Sequence, residues 1–350
     1  MKYSTSISGL YAEQPKATHF KKDQDMKRNR VGKTAVEVTE VSFGCSGIGN
    51  LFEETSDTAS MEVLKCAWDA GIRYFDTAPH YGRGLSEKRL GTFLKTKKCN
   101  EYVLSTKVGR VLTPGKPMAK VDGFINPLPN DVHYDYSGDG IEASFEQSCH
   151  TLGVSSVDII YVHDLGVQSH GNGAARHTNA FLESGYERLV KMKEAGRIGA
   201  FGLGVNETQI CLDVMDFGPI DVILLAGRLT LLDRSAEQEL TGRCAEANTS
   251  LVLGGIFNSG ILATGPVRGA TYDYGPAPEK LMKRVTVLEK AALQFGVPLS
   301  CAALHFAARH PASTSILLGT AKPTNLLRNL EALGTIIPDG IDKLFKEKFI

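Results

Sequence analysis

Eight short apolar segments, separated by helical patterns, constrain the fold of this chain more than any other feature. Most of them are continuous hydrophobic runs, which is typical of parallel strands buried on both faces. The predicted strands are Val41–Ser46, Ile72–Ala78, Tyr102–Val108, Val157–His163, Ile198–Val205, Asp221–Ala226, Ser250–Ile256 and Thr314–Gly319. Eight such strands with right-handed helical crossovers close into a barrel. The sequence therefore predicts an α/β fold of the (β/α)8 TIM-barrel class.

Helical patterns fill the intervals between these strands. Gly71 follows one of them at the position where a left-handed residue ends a helix. Ser86 and Glu87 are predicted to begin another helix, as its cap and its first-turn acid. Five more helices are predicted at Glu207–Asp216, Arg234–Asn248, Pro278–Gln294, Leu299–Arg309 and Pro323–Leu333. Residues 26–350 are predicted to form one barrel domain, and the polar, aperiodic residues 1–25 a flexible arm.

Two connections in this pattern are unusually long. The segments 109–140 and 255–278 are rich in Gly, Pro and Tyr, and each follows a predicted strand. Connections that follow the strands of a barrel lie at its C-terminal face, where such folds build their sites. Loops of this length usually serve as lids or binding loops. The sequence therefore predicts long loops over the C-terminal face of the barrel.

Composition excludes several classes of function. The 39 basic and 39 acidic side chains cancel, so the chain lacks the electrostatic footprint of a protein that binds nucleic acid or an anionic membrane surface. The N-terminus has no apolar leader and no apolar run approaches about 18 residues. The seven scattered cysteines favour neither a disulfide framework nor a metal site. These features predict a cytoplasmic protein, a monomer or small homo-oligomer, that acts on a small molecule without a metal.

Four chemically complementary residues occur where predicted strands end. Asp76, Lys107 and His163 lie at the C-terminal ends of the second, third and fourth predicted strands, and Tyr81 lies on the loop just above Asp76. Since the carboxyl ends of the strands share one end of a barrel, these side chains are expected to converge. A tyrosine has an ordinary pKa of about 10. An ammonium about 4 Å away favours the phenolate by roughly 4 kcal/mol at an effective dielectric of about 20, which is about three pKa units.

The other two members of the set complete this chemistry. Asp76 keeps Lys107 charged despite burial, and a neutral His163 orients a carbonyl oxygen without competing for the proton. No serine or cysteine stands beside a base, so the set does not form a nucleophile site. Together the four side chains predict a site that protonates a carbonyl or deprotonates an alcohol, with Tyr81 as the general acid and base.

The run from Asp76 to Gly91, DTAPHYGRGLSEKRLG, resembles the signature of the aldo-keto reductases. The resemblance extends from about Lys27 to Leu333, most of the chain. It implies a (β/α)8 barrel that works as an NAD(P)-dependent oxidoreductase. It also implies that Asp76, Tyr81, Lys107 and His163 are the catalytic tetrad.

The same resemblance implies a set of cofactor-binding residues. Asn206 is similar to the residue that holds the nicotinamide carboxamide, residues 258–262 to the pyrophosphate loop, and residues 319–329 to the adenosine segment. The implied set is Gly44, Cys45, Asp76, Asn206, Asn258, Ser259, Gly260, Leu262, Gly319, Thr320, Lys322, Asn325 and Asn329. Leu229 stands where the family has a tyrosine that stacks on the nicotinamide, so this stacking is lost or supplied elsewhere. Glu207 also departs from the family's usual Ser-Asn pair.

NAD is expected to be preferred over NADP. Members of the family that prefer NADP carry Lys or Arg in the adenosine segment, to hold the 2′-phosphate. The matching positions here are Gly319, Ala321 and Asn325, and Lys322 is the nearby base.

Within the family, the segments 78–81, 162–166 and 202–207 are most similar to dehydrogenases of D-threo-aldoses (L-fucose) and L-galactose, with pyridoxal 4-dehydrogenase close by. The resemblance implies oxidation of an aldose hemiacetal at C1 to a lactone. The substrate contacts that it implies are His80, Tyr81, His163 and Asp164. Asp135 and Tyr136 are further candidates. The alternatives are a pyridoxal 4-dehydrogenase and a general aldehyde or ketone reductase.

Two hypotheses from other classes remain open at this point. One is a regulatory barrel subunit that binds nicotinamide without catalysis. The other is a metal-dependent hydrolase, although the chain lacks an H-x-H strand end. Its ligands would be His163, Asp164, His170 and His177.

Overall fold

The computed structural model describes residues 26–338 and 340–346, so the predicted flexible arm, residues 1–25, lies outside the described residues. Eight parallel strands form a closed barrel, and each pairs with its neighbours in chain order. They are β1 (Val41–Gly44), β2 (Tyr74–Asp76), β3 (Val103–Val108), β4 (Val157–His163), β5 (Ile198–Val205), β6 (Val222–Ala226), β7 (Ser250–Gly254) and β8 (Ser313–Gly319). Strand β8 pairs with β1 and closes the cylinder. The predicted barrel is confirmed.

The apolar runs located the strands well. Two strands, β4 and β5, have the predicted bounds, and each of the other six overlaps its prediction. Strand β2 is the shortest relative to its prediction, since pairing with β3 ends at Asp76 opposite Ser105. The chain then turns towards the loop that carries Tyr81. This early end of β2 matters because it leaves the Asp76 carboxylate at the rim of the barrel.

Helices surround the barrel. Those of eight or more residues, among the described residues, are α1 (Asp57–Asp69), α2 (Leu85–Leu94), α3 (Gly138–Leu152), α4 (Tyr186–Glu194), α5 (Gln209–Phe217), α6 (Leu240–Ala247), α7 (Glu279–Gln294), α8 (Leu299–Arg309) and α9 (Pro323–Leu333). The helix predicted at Arg234–Asn248 is broken into a 3-10 turn, Ser235–Glu237, and α6. The Asp233 carboxylate accepts bonds from the Ser235 backbone N–H and hydroxyl, at 3.0 and 2.7 Å, and so favours a tight turn there.

The predicted cap of α2 is wrong. The helix begins at Leu85 after Gly84, whose φ of 99° suits a residue without a side chain. The Ser86 hydroxyl donates to the Cys45 carbonyl at 2.8 Å, so it fastens α2 to the end of β1. Glu87 does lie in the first turn, but it is buried and accepts a 2.7 Å bond from the Thr106 hydroxyl. Burial raises the pKa of Glu87 to about 7.

The core has two layers. One cluster fills the inside of the barrel and includes Tyr74, Tyr161 and Val222. A second and larger cluster lies between the outer faces of the strands and the helices. At the N-terminal end, the hairpin of Arg28–Arg30 and Glu37–Thr39 adds the buried Val31 and Val38 to the inner cluster. The N-terminal end of the barrel is therefore closed by apolar side chains.

Both long connections lie at the C-terminal end, as predicted, but they contain regular structure. In the first, Arg110–Pro114 pairs with Asn130–Tyr134, and the inner hairpin of Lys120–Val121 and Phe124–Ile125 forms its tip. A bridge between Leu51 and Phe124 joins this tip to the loop after β1.

The second connection contains a short helix, Ile261–Thr264. It is followed by a small hairpin of Thr271–Tyr272 and Gly275–Pro276.

Within the described residues, no single helix is long and apolar enough to cross a membrane. The pair of α7 and α8, bent by 88°, passes that test of length and composition only when the two are taken together.

Candidate active site

A buried ion pair lies at the C-terminal rim of the barrel. The Lys107 ammonium donates to Asp76 Oδ2 at 2.6 Å and to the Thr77 carbonyl at 2.9 Å. The other carboxylate oxygen, Oδ1, accepts a 2.7 Å bond from the Ser105 hydroxyl. Lys107 and Asp76 are 2% and 0% exposed. Burial alone would lower the pKa of Lys107, but the facing carboxylate raises it, so the ammonium stays charged.

Glycine on β5 makes room for this ion pair. A side chain at Gly204 would begin 3.4 Å from the Lys107 stem and 3.2 Å from Tyr161. Beneath the pair, the Tyr74 phenol contacts the Ser105 hydroxyl at 3.0 Å and the Tyr161 phenol at 2.8 Å. These contacts satisfy polar groups that would otherwise be costly to bury. The strands therefore hold Lys107 and Asp76 in one geometry.

Tyr81 lies directly beside the ion pair. The Lys107 ammonium is 4.6 Å from the centre of the Tyr81 ring. Burial raises the pKa of the phenol to about 12, although Lys107 lowers it. The lysine therefore acts in the expected direction, but desolvation outweighs it. With its pKa raised, the phenol is neutral near pH 7.

His163 faces Tyr81, and His80 lies beside His163. The His163 ring centre is 5.9 Å from that of Tyr81 and 5.9 Å from that of His80. Burial, with Arg110 and Lys107 nearby, lowers the pKa of His163 well below its usual value. Burial and the same cations lower the pKa of His80 to about 2. Both rings are therefore neutral, and Nδ1 of each has no hydrogen-bond partner among the described residues.

Asp164 brings a carboxylate next to these rings. Its Oδ2 lies 3.4 Å from His163 Nε2 and 2.5 Å from the Arg110 guanidinium. Its φ of 48° is unusual for a residue with a side chain. The buried Tyr136 phenol donates to the His163 carbonyl at 2.7 Å and so fixes this turn. Tyr136 thus supports the site from behind and does not line its cavity.

These side chains open into the catalytic cavity, a space of about 480 Å³. It is lined by Ser46, Leu51, Phe52, His80, Tyr81, Lys107, Asp122, Gly123, Phe124, His163, Asp164, Gln168, Ser169, Gly204, Val205, Asn206, Leu224, Ala226 and Tyr274. All four substrate contacts predicted from the sequence lie on it. The candidate Asp135 does not.

A second space of about 360 Å³, the glycine-lined cavity, adjoins the first. It is lined by Gly44, Ser46, Leu51, Asp76, Tyr81, Asn206, Leu224, Ala226, Gly227, Gly254, Gly255, Ile256, Phe257, Asn258, Ser259, Gly260, Asp273, Tyr274, Leu317, Leu318, Gly319 and Asn329. The two cavities share Tyr81, Asn206 and Tyr274 among other residues. They therefore form one elongated depression across the barrel mouth.

Eight of the thirteen predicted cofactor residues line this second cavity, and five do not. Cys45 and Leu262 are fully buried in the core. Thr320 and Asn325 lie near the ends of β8 and α9 without lining the cavity. Lys322 is exposed and forms a 2.9 Å ion pair with Glu53.

The Asn258 side chain shapes the loop after β7. Its Oδ1 accepts a 2.6 Å bond from the Thr230 hydroxyl, and its Nδ2 donates to the Gly227 carbonyl at 3.0 Å. Because these bonds occupy the amide, Asn258 presents backbone to the cavity. Asn258, Ser259 and Gly260 have φ values of 46°, 58° and 104°. This left-handed run turns the backbone along the cavity wall.

Two departures from the family pattern have structural explanations. Glu207 Oε1 accepts a 2.7 Å bond from the Gln168 backbone N–H, so this carboxylate fastens the loop after β4. Leu229 is 1% exposed and packs in the core, away from both cavities. The aromatic side chain that does lie near Asn206 is Tyr274. Sequence reasoning missed Tyr274, although its loop was recognised as unusually long.

The arrangement suits a dinucleotide. Part of the wall of the second cavity is bare backbone, because six of its lining residues are glycines, at positions 44, 227, 254, 255, 260 and 319. A Cβ added at Gly44 would lie 3.3 Å from Leu317 and would narrow the cavity. Bare backbone of this kind permits close approach of a phosphate or ring. A nicotinamide at the junction of the two cavities would face Tyr81, beside the substrate.

The hypothesis of a metal-dependent hydrolase required a cluster of metal ligands. The described part of the chain holds no group of three or more His, Cys, Asp or Glu side chains arranged to bind a metal ion. His170 and His177 instead stack on each other, with ring centres 4.2 Å apart.

Comparisons with known proteins identify the family of the chain. Residues 40–340 match the profile described as the aldo/keto reductase family. The pyridoxal 4-dehydrogenase of Microbacterium luteolum is 37% identical, with 89% of this chain and 94% of the relative covered. The D-threo-aldose 1-dehydrogenase of a Pseudomonas species is also 37% identical, with 87% and 92% covered.

A solved structure supports the same fold. The aldo-keto reductase AKR11C1 from Bacillus halodurans superposes with a TM-score of 0.71 at 22% identity, covering 91% of this chain and 96% of that one. The match of the family profile to most of the chain, and the identity to two dehydrogenases, decide the assignment. The chain belongs to the aldo/keto reductase family and is an NAD(P)-dependent oxidoreductase.

Proposed function

We propose that the protein oxidises the C1 hydroxyl of a cyclic aldose to the lactone, using NAD. The observation that carries this proposal is the position of Asp164. Its carboxylate lines the catalytic cavity beside His163, and Arg110 holds it. The Asp164 carboxylate, paired with Arg110, and two imidazoles whose Nδ1 atoms have no partner among the described residues offer acceptors and donors for adjacent sugar hydroxyls. One of the relatives at 37% identity is named for the same reaction class.

The residues divide the chemistry among them. Tyr81 takes the proton from the C1 hydroxyl, and Lys107 stabilises the phenolate that accepts it. Asp76 keeps Lys107 charged. His163 orients the reacting oxygen from the opposite side of the phenol. A bound nicotinamide supplies the acceptor for the C1 hydrogen and its electron pair, which leaves a carbonyl at C1.

Direction and pH are linked through Tyr81. Because burial raises the pKa of Tyr81 to about 12, the phenol is protonated near neutral pH. A protonated phenol suits reduction of a carbonyl, whereas oxidation needs the small deprotonated fraction. Oxidation is therefore favoured at alkaline pH, and reduction is favoured at lower pH.

Pyridoxal is the second candidate substrate. Its aldehyde and a neighbouring hydroxymethyl group close to a hemiacetal, so the same proton and hydride transfers apply. The other relative at 37% identity is named for this substrate. Phe124, which lines the cavity and packs edge-on against His80 at 5.3 Å between ring centres, offers a flat wall to an aromatic ring.

A substrate panel tests the proposal. We expect at least one of the aldoses L-fucose, L-galactose and D-arabinose to give NADH with a kcat/KM above that of pyridoxal, because Asp164 and the two imidazoles match sugar hydroxyls. The measurement is the absorbance of NADH at alkaline pH, with lactone identified as the product. Faster turnover of pyridoxal than of every aldose would contradict the sugar proposal and favour the second candidate.

The preference for NAD follows from the charges near α9. The Lys322 ammonium is paired with Glu53 at 2.9 Å. The structure adds one base that the sequence did not indicate, because Arg328 lies 3.4 Å from the Asn325 amide oxygen. Neither cation lines the glycine-lined cavity. A 2′-phosphate would therefore find no dedicated partner at position 325.

Asn325→Arg is expected to raise kcat/KM with NADP by about 10-fold, the usual worth of one charge-assisted hydrogen bond. Turnover with NAD should change little. The measurement is the ratio of kcat/KM for the two cofactors at fixed ionic strength. Thr324→Arg adds the same charge one residue away and serves as the control. Equal use of NADP by the unmodified protein would refute the preference.

The wider properties inferred from composition, a cytoplasmic location and a monomeric or small homo-oligomeric state, remain predictions.

A further inference from the structure

Two aromatic side chains at the barrel mouth are both exposed and strained. Phe52 is 64% exposed and Tyr274 is 63% exposed. Their φ values are 64° and 63°, in the left-handed region. Most other described residues with a side chain and a positive φ are Asn or Asp, which tolerate this region. An aromatic residue held there costs about 1–3 kcal/mol, and neither ring repays it by burial.

The loop that carries Phe52 is anchored firmly. The Phe52 backbone N–H donates to the Gly123 carbonyl at 2.9 Å. The Asn50 side chain donates to the Ile125 carbonyl at 2.9 Å and accepts from Arg89, also at 2.9 Å. A Cβ at Gly123 would lie 3.4 Å from Phe52 Cε1 and 3.8 Å from Phe52 Cδ1, so this edge of the ring lies beside the Gly123 backbone. The ring is therefore held in place over the catalytic cavity that it lines.

Tyr274 is anchored in a comparable way. Its backbone N–H donates to the Ser259 hydroxyl at 3.0 Å. The preceding Asp273 forms two bonds with Arg228, at 2.8 and 3.0 Å. The Tyr274 side chain lies beside Asn206 and lines both cavities, whereas Phe52 lines only the catalytic cavity. The two rings thus arise from different loops, after β1 and after β7, and face the same space.

We infer that Phe52 and Tyr274 determine specificity by packing on the faces of a ring-shaped substrate. Phe52 contacts the substrate and not the nicotinamide, whereas Tyr274 contacts the substrate at its junction with the nicotinamide. A sugar or pyridine ring offers a flat, partly apolar face to such walls, which an open-chain aldehyde of similar polarity lacks. The inference rests on the proposed oxidation of a cyclic hemiacetal and names the property of the substrate that these two residues select.

Phe52→Asn separates this role from a structural one. Asparagine accepts a positive φ at lower cost, so the melting temperature should stay the same or rise. The kcat/KM for L-fucose or pyridoxal should fall about 10- to 100-fold, since one aromatic contact is lost. The kcat/KM for glyceraldehyde, an open-chain aldehyde followed in the direction of reduction, should fall far less. The Kd of NADH, measured by its fluorescence, should not change for Phe52→Asn and should rise for Tyr274→Asn.

The control is Phe217→Asn. Phe217 is also exposed, at 53%, but it ends α5 and packs on Tyr186, away from both cavities. It should leave the ratio of ring to open-chain kcat/KM unchanged. An equal loss for ring and open-chain substrates in Phe52→Asn, or a fall in melting temperature with an unchanged ratio, overturns the inference. If the unmodified protein oxidises no cyclic hemiacetal, the proposed function fails, and the ratio for benzaldehyde against glyceraldehyde still tests the two rings.

Discussion

Turnover should fall at least roughly 100-fold when Tyr81 is replaced by phenylalanine, because the proton of the reacting hydroxyl then has no acceptor. The expected loss is in kcat and kcat/KM alike, since the phenol acts on the reacting oxygen only in the transition state. Binding of NADH should persist, because the change removes one hydroxyl group and keeps the ring with which position 81 lines the glycine-lined cavity.

The measurement combines steady-state oxidation with NADH fluorescence. Tyr102→Phe is a matched control, because Tyr102 lies at the start of β3, at the end of the barrel opposite the site. It should leave turnover within about twofold of the unmodified protein. If Tyr81→Phe keeps more than a tenth of the original kcat at the optimal pH, Tyr81 is not the general acid and base.

The barrel and the positions of the four proposed catalytic residues could be predicted from the sequence because both depend on local patterns. A buried parallel strand is a continuous apolar run. Its last residues lie at the carboxyl edge of the sheet, whichever strands are its neighbours. Asp76 and His163 end their strands and Lys107 is the last residue but one of β3, so their convergence follows once the barrel closes. The ion pair of 2.6 Å between Lys107 and Asp76 has the geometry that this argument requires.

What the sequence did not indicate depends on packing between distant segments. Serine is a residue type that often caps helices, yet the Ser86 hydroxyl donates to the Cys45 carbonyl, 41 residues away. The net pKa of Tyr81 depends on how much water the surrounding loops exclude, which no spacing records. Phe52 and Tyr274 became recognisable only from their backbone angles and exposure. Strain and solvation are properties of the assembled barrel mouth, and local patterns carry no signal for them.

Lys107→Met should lower oxidation by about 100- to 1,000-fold and change the form of its pH dependence. The charges around Tyr81 are Lys107, Asp76 and Asp164, and among them only Lys107 lowers the pKa of the phenol. Removing it leaves burial and two carboxylates, all of which raise that pKa further above about 12. The deprotonated fraction at a given pH then falls, so oxidation needs a more alkaline solution. Reduction, which uses the protonated phenol, should lose less.

The measurement is the logarithm of kcat/KM for oxidation between pH 7 and the alkaline limit of stability. We expect it to rise by about one unit per pH unit in both proteins, with the line for Lys107→Met displaced downwards. Conversely, equal losses in oxidation and reduction at every pH would mean that Lys107 acts only as a scaffold for the site.

Stability distinguishes the charge of Lys107 from its packing. Asp76 is fully buried, so Lys107→Met leaves an unpaired carboxylate and should cost about 3–5 kcal/mol of unfolding free energy. The double variant Asp76→Asn with Lys107→Met removes both charges and should recover most of that loss, as measured by urea unfolding. Its oxidation should stay low, because the phenolate still has no cation beside it. Recovery of turnover together with stability would show that the ion pair serves the fold, and that Tyr81 does not need the ammonium.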